Sequence, residues 1–215
     1  MTELSGSRQP GFVLFTNGSH FSCQVLKNLL ARDYSPRIIV LPEYPGSEGI
    51  KTAILESGSC ATNPILDLAN DIEIRYGPEA EQQSLASELE PISMDFMLVA
   101  CWPYLIDMKL VRAIAKAAYN LHPSLLPQYP GPDPVSAQLA AGEVRFGVSL
   151  HELTSDWDRG EIACQKQIDL SKENRNRRFI ERQLAALGVE LFIQTMESQS
   201  VTDRTMITET PIELT

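Results

Sequence analysis

Two unbroken apolar runs constrain what this chain can fold into more than anything else in it. Gly11-Phe-Val-Leu-Phe-Thr16 and Met94 to Ala100 are apolar without alternation. Strands buried on one face alternate, whereas strands buried on both faces do not. Each run is followed by turn residues and then by a helical pattern. After the first, Asn17-Gly18-Ser19 reads as a turn, and Phe21, Val25, Leu26, Leu29 and Leu30 recur at helical spacing. After the second, Asp107 to Ala118 reads as a helix capped by Asp107, with Leu110, Val111, Ile114 and Ala118 on one face.

The remaining pattern repeats the alternation. Arg37 to Leu41 reads as a second strand, ending in a loop rich in Pro and Gly from Pro42 to Gly49. Residues 50–70 show only a helix start over Pro64 to Ala69. Asp71 to Tyr76 alternates as a short strand does, and Glu79 to Glu90 reads as an exposed helix. Phe146 to Leu153 and Ile162 to Leu170 read as two strands, with Thr154 to Gly160 as a hairpin-like connection. Lys172 to Met196 reads as a long helix with Ile180, Leu184, Leu187, Leu191 and Thr195 on one stripe. The last twenty residues are rich in Thr and Ser and are expected to wander over the surface.

Strands alternating with helices predict an α/β fold: an open, mostly parallel, Rossmann-like sheet with helices on both faces and a site at the carboxyl ends of its strands. One domain is expected over residues 1–198, with a tail over 199–215.

Charge and cysteine usage narrow the function. Twenty-eight acidic against 18 basic residues give a net charge of −10, which disfavours general nucleic-acid binding, since phosphate neutralisation needs Lys and Arg. Cys23, Cys60, Cys101 and Cys164 contain no CxxC pair, so neither a metal site nor a disulfide framework is expected. Apolar runs such as Phe96 to Trp102 fall far short of the roughly 20 residues of a membrane span. Met1 to Pro10 has no apolar signal region. A cytoplasmic location and no membrane partner are expected. Oligomeric state is not legible.

Most of the chemical information lies in Asn120-Leu-His-Pro-Ser-Leu-Leu-Pro-Gln-Tyr-Pro-Gly131. Asn120 and His122 are two apart, so in an extended segment they share a face. Asp158 follows in Ser155-Asp-Trp-Asp-Arg-Gly160. Asn, His and Asp make a plausible set for acyl transfer. Preplaced N–H donors stabilise the oxyanion, and a carboxylate holds charge on His or moves a proton.

At these residues the chain resembles the formyltransferase superfamily, whose members use 10-formyltetrahydrofolate. The matching elements are Asn120 to Pro127, Gly147-Val-Ser-Leu-His151 and Trp157-Asp-Arg-Gly160. The resemblance covers roughly residues 11–170 and implies the formyltransferase fold. It implies Asn120, His122 and Asp158 as the catalytic trio. It implies a folate pocket at Trp102, Pro103, Tyr104, Leu105 and Ile106, aided by Thr154, Ser155, Asp156 and Trp157. It also places the acceptor near Asn17, Gly18 and Ser19, where a helix start favours an anion. Trp157 stands where many members have Leu, and Tyr104 where some carry Arg.

The implied function is formyl transfer to a primary amine, with 10-formyltetrahydrofolate as donor and no metal. Two branches are close. One is methionyl-tRNA formyltransferase, but the loop Pro42 to Lys51 carries Glu43 and Glu48 and one Lys, and the net charge is against tRNA. The other is phosphoribosylglycinamide formyltransferase, whose Gly-Asn-Gly-Ser turn is three-quarters kept in Thr16-Asn-Gly-Ser19. An amino sugar stays open as a third acceptor. The expected partner is an anionic small-molecule amine. A hydrolase of the same folate and a non-catalytic folate binder are the alternatives.

Other residues have plainer readings. Asn17 to Ser19 serves equally as a capped turn. It lacks the full GxGxxG of a dinucleotide site. His151 reads as a satisfied, partly buried strand residue, and His20 as a helix cap in preference to a residue that meets the acceptor. Trp102 and Trp157 read as core or pocket wall. Lys172, Arg175, Arg177, Arg178 and Arg182 read as a solvated helix face and form the only basic patch.

Overall fold

The computed structural model describes residues 9–43, 64–78 and 82–208. Most of the Pro42–Gly49 loop, Cys60, the first residues of the expected 79–90 helix and residues 209–215 lie outside them. The described elements are β1 (Phe12–Thr16), α1 (His20–Leu30), β2 (Ile38–Glu43), α2 (Pro64–Leu68), β3 (Glu73–Pro78), α3 (Gln82–Leu89), β4 (Met94–Ala100), α4 (Met108–Ile114), β5 (Ala115–His122), α5 (Pro134–Ala140), β6 (Arg145–Glu152), β7 (Ile162–Asp169) and α6 (Arg177–Thr208).

The strands form one sheet in the order β3-β2-β1-β4-β5-β6-β7. β1 to β5 are parallel, and β6 and β7 are antiparallel to their neighbours. The chain order reverses at β1, which lies between β2 and β4. The crevice beyond the carboxyl ends of such strands is where ligands bind in open α/β sheets.

The unbroken apolar runs are double-faced, as their pattern predicted. Phe12 and Leu14 enter a core with Phe21, Val25, Leu26 and Leu29 of α1 and with Ile180, Leu184 and Phe192 of α6. Val13 and Phe15 enter the opposite core with Leu85 and Leu89 of α3 and Leu110, Val111 and Ile114 of α4. The second core draws no residue from β6 or β7. That stretch of the sheet face is left to polar side chains.

Helix starts follow local chemistry. Ser19 caps α1, its side chain accepting from Ser22 N. Asp107 caps α4 through Lys109 N at 2.8 Å. Asp133 precedes Pro134 at the start of α5, where proline has no hydrogen bond to lose.

Three expectations are corrected. The helix from Asp107 stops at Ile114, and Ala115 to Ala118 belong to β5. Alanine favours helix locally, but pairing of this segment with Met94, Phe96 and Met97 of β4 overrides that preference. The long helix starts at Arg177 rather than Lys172, because Asn176 Oδ1 accepts from the N–H groups of Arg178 and Phe179 and so caps it. It continues through Thr208, past the expected start of the wandering segment.

Phe192 joins the two apolar runs. Its ring meets Phe12 edge-on at 5.3 Å and Phe96 at 6.3 Å between centroids. Truncating it leaves a cavity beneath both central strands. Phe192→Ala is expected to lower unfolding free energy by about 3–5 kcal/mol, read by denaturant titration, with native far-ultraviolet circular dichroism retained.

Candidate functional site

Asn120 and His122 sit near the end of β5 on the polar face, two residues apart as the spacing predicted. β5 pairs with β6 so that Asn120 lies opposite His151 and His122 opposite Ser149. The connection from β6 to β7 then folds back over this face and delivers Asp158. Asp158 adopts φ 51° and Gly131 φ 102°, left-handed backbone that Asp tolerates and glycine adopts freely. The Gly131 N–H donates to Asp158 Oδ2 at 2.8 Å.

The three expected catalytic residues converge. Asp158 Oδ1 is 3.4 Å from His122 Nδ1 and 3.5 Å from Asn120 Nδ2. His151 joins them, with Nε2 3.0 Å from Asn120 Nδ2 and 3.6 Å from Asp158 Oδ1. His151 is therefore buried and satisfied, as read from the sequence, but its ring also orients two of the trio. Nothing in its own neighbourhood of sequence signals this, since it follows from the β5–β6 register.

The proton positions follow from what each nitrogen faces. His122 Nε2 lies 2.9 Å from the Tyr129 carbonyl, which only accepts, so Nε2 carries the hydrogen. A second proton on Nδ1 would point at Asp158. Burial holds the His122 pKa below the ordinary imidazole value, outweighing the nearby Asp158 charge and the Tyr129 hydrogen bond. The free site thus has an open Nδ1 beside a carboxylate, a ready place for an incoming proton. Burial also opposes ionisation of Asp158. The His151 edge, His122 and the Gly131 N–H outweigh it and hold the carboxyl below its ordinary range.

His151 has two workable arrangements. With Nδ1–H donated to the Glu152 carbonyl at 3.0 Å, its Nε2 accepts from Asn120. With Nε2–H instead, the ring faces Asp158 Oδ1 at 3.6 Å. In the first arrangement one Asn120 amide hydrogen is held by His151. The other makes only the long 3.5 Å contact and is free to turn to a developing negative charge.

The loop after β5 is pinned from below. Ser124 Oγ donates to the Gln128 carbonyl, Ser149 Oγ donates to the Ser124 carbonyl, and Leu126 N donates to Ser149 Oγ. Gln165 Nε2 donates to both the Leu126 carbonyl and Ser149 Oγ. Three rigid prolines and these bonds fix the Tyr129 carbonyl against His122.

The segments expected to hold folate follow β4 and β6. Trp102 and Ile106 are buried, Tyr104 is half-buried, and Pro103 and Leu105 are exposed. Trp102 Nε1 is buried without a hydrogen-bond partner among the described residues. Thr154 is half-buried, whereas Ser155, Asp156 and Trp157 are exposed. Leu105 and Trp157 are 42% and 55% exposed, apolar surface on the two folate-associated segments. Asn17, Gly18 and Ser19 form the turn at the end of β1, with Ser19 N donating to Asn17 Oδ1 at 2.9 Å. His20 is corrected: Ser19 is the cap, and His20 is the first helical residue, paired with Glu181 at 2.7 Å. In the basic patch, Arg177 is likewise tied to Glu181 and Asp133 rather than free in solvent.

Two outcomes are expected. Gly160 lies so close to Glu152 that an added Cβ would overlap its carbonyl oxygen. Gly160→Ala should cost about 1–3 kcal/mol of stability in thermal melts, while displacing Asp158. The second concerns pH. The unfolded chain takes up the His122 proton more readily than the folded one. The stability contributed by neutral His122 is therefore complete above about pH 6.5 and is lost as pH falls from there through the lowered folded value. Asp158 has the same sign, its contribution being present above the ordinary carboxyl range and lost as pH falls through its depressed value. Melting temperature should drop between pH 7 and 5, and less steeply in His122→Asn.

The family model described as formyl transferase matches residues 61–196. Methionyl-tRNA formyltransferase of Thermotoga maritima is 27% identical over 188 residues, covering 86% of this chain but 57% of that protein. The chain thus spans little more than half the length of such relatives. Glycinamide ribonucleotide transformylase 1 from Symbiobacterium toebii superposes with a TM-score of 0.65 at 17% identity, covering 89% of this chain and 91% of the other. A formyltetrahydrofolate deformylase from Pseudomonas syringae does so with a TM-score of 0.61 at 17% identity, covering 88% and 63%. These two establish the expected formyltransferase fold. With the family model spanning well over half of its length, the chain belongs to the formyl transferase family.

Proposed function

We propose that the chain moves a formyl group from 10-formyltetrahydrofolate to a primary amine. The observation that carries this reading is the meeting of Asn120 and His122 with Asp158 Oδ1, both within 3.5 Å. The sequence relatives are named for methionyl-tRNA and one structural neighbour for glycinamide ribonucleotide. The common element of those acceptors is an amine.

The folate suits the residues present. Leu105 and Trp157 offer apolar surface for a flat ring, and Trp102 Nε1 is a buried donor in need of an acceptor. When bound, it supplies the formyl carbonyl and a nitrogen leaving group. Asn120, through its loosely held amide hydrogen, steadies the charge that grows on the carbonyl oxygen as the amine adds. His122 Nδ1 takes the proton that the amine sheds, and Asp158 stabilises the resulting imidazolium. His122 then returns the proton to the leaving nitrogen. His151 holds Asn120 and Asp158 in register. The Thr154–Trp157 segment screens the centre from water that would otherwise compete with the amine. The chemistry calls for no metal.

Optical conversion of 10-formyltetrahydrofolate to tetrahydrofolate tests this, without amine and with glycinamide ribonucleotide, methionyl-tRNA and amino sugars in turn. Amine-dependent conversion is expected. Asn120→Ala, His122→Ala and Asp158→Ala should each lower it by about 10²- to 10³-fold with the fold intact. Formate release without amine would instead establish a hydrolase. Binding without conversion would establish a folate-binding protein. Wild-type rates in all three variants would remove the trio from the chemistry.

A further inference from the structure

The starts of α1 and α6 lie together at the sheet edge that bears the site. His20 Nδ1 is 2.7 Å from Glu181 Oε2, and farther along Tyr34 Oη donates to Glu197 Oε1 at 2.5 Å. The two helices therefore run in the same direction, with both N-termini at this edge. Cys101 directly follows β4. Val99 of β4 pairs with Asn120, so Cys101 is level with His122 one strand away. β4 lies between β1 and β5, so the His20–Glu181 pair and the trio lie along the same end of the sheet, the pair on the side of the Asn17–Ser19 turn.

Two helix N-termini would ordinarily make this an anion site, but the protein has placed its own anion there. The Glu181 side chain is only 7% exposed. Arg177 Nε donates to Glu181 Oε1 at 2.8 Å, and the same guanidinium is held by Asp133 at 3.1 Å. The Arg177 guanidinium is thus shared between two carboxylates. Two donors here are also engaged, Ser19 N by Asn17 Oδ1 and Ser22 N by Ser19 Oγ. A phosphate arriving here meets a buried negative charge.

The same carboxylate sets the chemistry of His20. A carboxylate only accepts, so the neutral ring must carry its hydrogen on Nδ1. Nε2 is then a lone-pair acceptor on a side chain 35% exposed. Such a nitrogen recognises an O–H or N–H donor and not an anion.

We infer that His20, held by Glu181, makes the acceptor side of this site hydroxyl-reading and phosphate-excluding, fitted to an amine carried on a neutral, hydroxylated body. This rests on the formyl-transfer reading for the identity of the acceptor side, and it replaces the expectation of an anionic acceptor drawn from the helix start.

The test uses nitrogen-15 spectra of the three histidine rings in the whole chain at pH 8, titrated with inorganic phosphate. The wild type should show His20 as the Nδ1–H form, with signals that phosphate leaves unmoved. Glu181→Gln should bind phosphate at least about tenfold more tightly, seen as movement of the His20 signals. Glu181→Leu removes the same charge if the Gln variant does not fold. An Nε2–H ring in the wild type would overturn the inference. So would phosphate shifting wild-type His20 as readily as it does the variant. Neither measurement needs folate or turnover, so failure here is distinct from failure of the formyl-transfer reading.

Discussion

A buried carboxylate must collect donors or give up its charge, and the site is arranged around one that has collected them. Asp158 takes the Gly131 N–H on one oxygen and turns the other toward Asn120, His122 and His151. Removing water from a charge costs several kcal/mol unless such partners replace it. These partners come from three segments: the loop after β5, β5 itself and β6. The ionisation of Asp158 therefore ties three parts of the chain into one geometry. The backbone cooperates, since the connection that carries Asp158 closes through Gly160 against Glu152 with no room for a side chain.

That geometry depends on a change of strand direction. Up to β5 the sheet is parallel and its double-faced strands are covered on both sides. At β6 the chain turns antiparallel, and the α3–α4 side of the core ends. Polar side chains occupy the face so released. Had β7 been parallel to β6, the connection between them would have crossed over the sheet as a helix. Instead a short connection folds back and reaches Asn120 and His122. Both the opening in the helix layer and the residues that fill it come from this reversal.

Much of this was legible beforehand, and the limits have physical causes. The double-faced runs at Phe12–Thr16 and Met94–Ala100 announced the sheet, and the Asn120–Gly131 segment announced the chemistry, because both are written in contiguous residues. Ala115 to Ala118 were misread as helix because their strand state comes from pairing with β4, not from local preference. His20 was taken for a cap because its partner, Glu181, lies on α6, at the far end of the chain. His151 stood apart from the trio until the antiparallel register set it against Asn120.

By itself, the sequence determined the strand and helix alternation, the sharing of one face by Asn120 and His122, and the rigid loop behind them. Periodicity, proline and glycine act over a few residues and leave their mark there. Tertiary structure alone decided that Asp158 and His151 would meet Asn120 and His122. It also decided that burial would keep His122 short of a second proton, and that Glu181 would fill the space between two helix starts. Register, desolvation and charge pairing join residues far apart in the chain, and their energies exist only once water has been excluded between them.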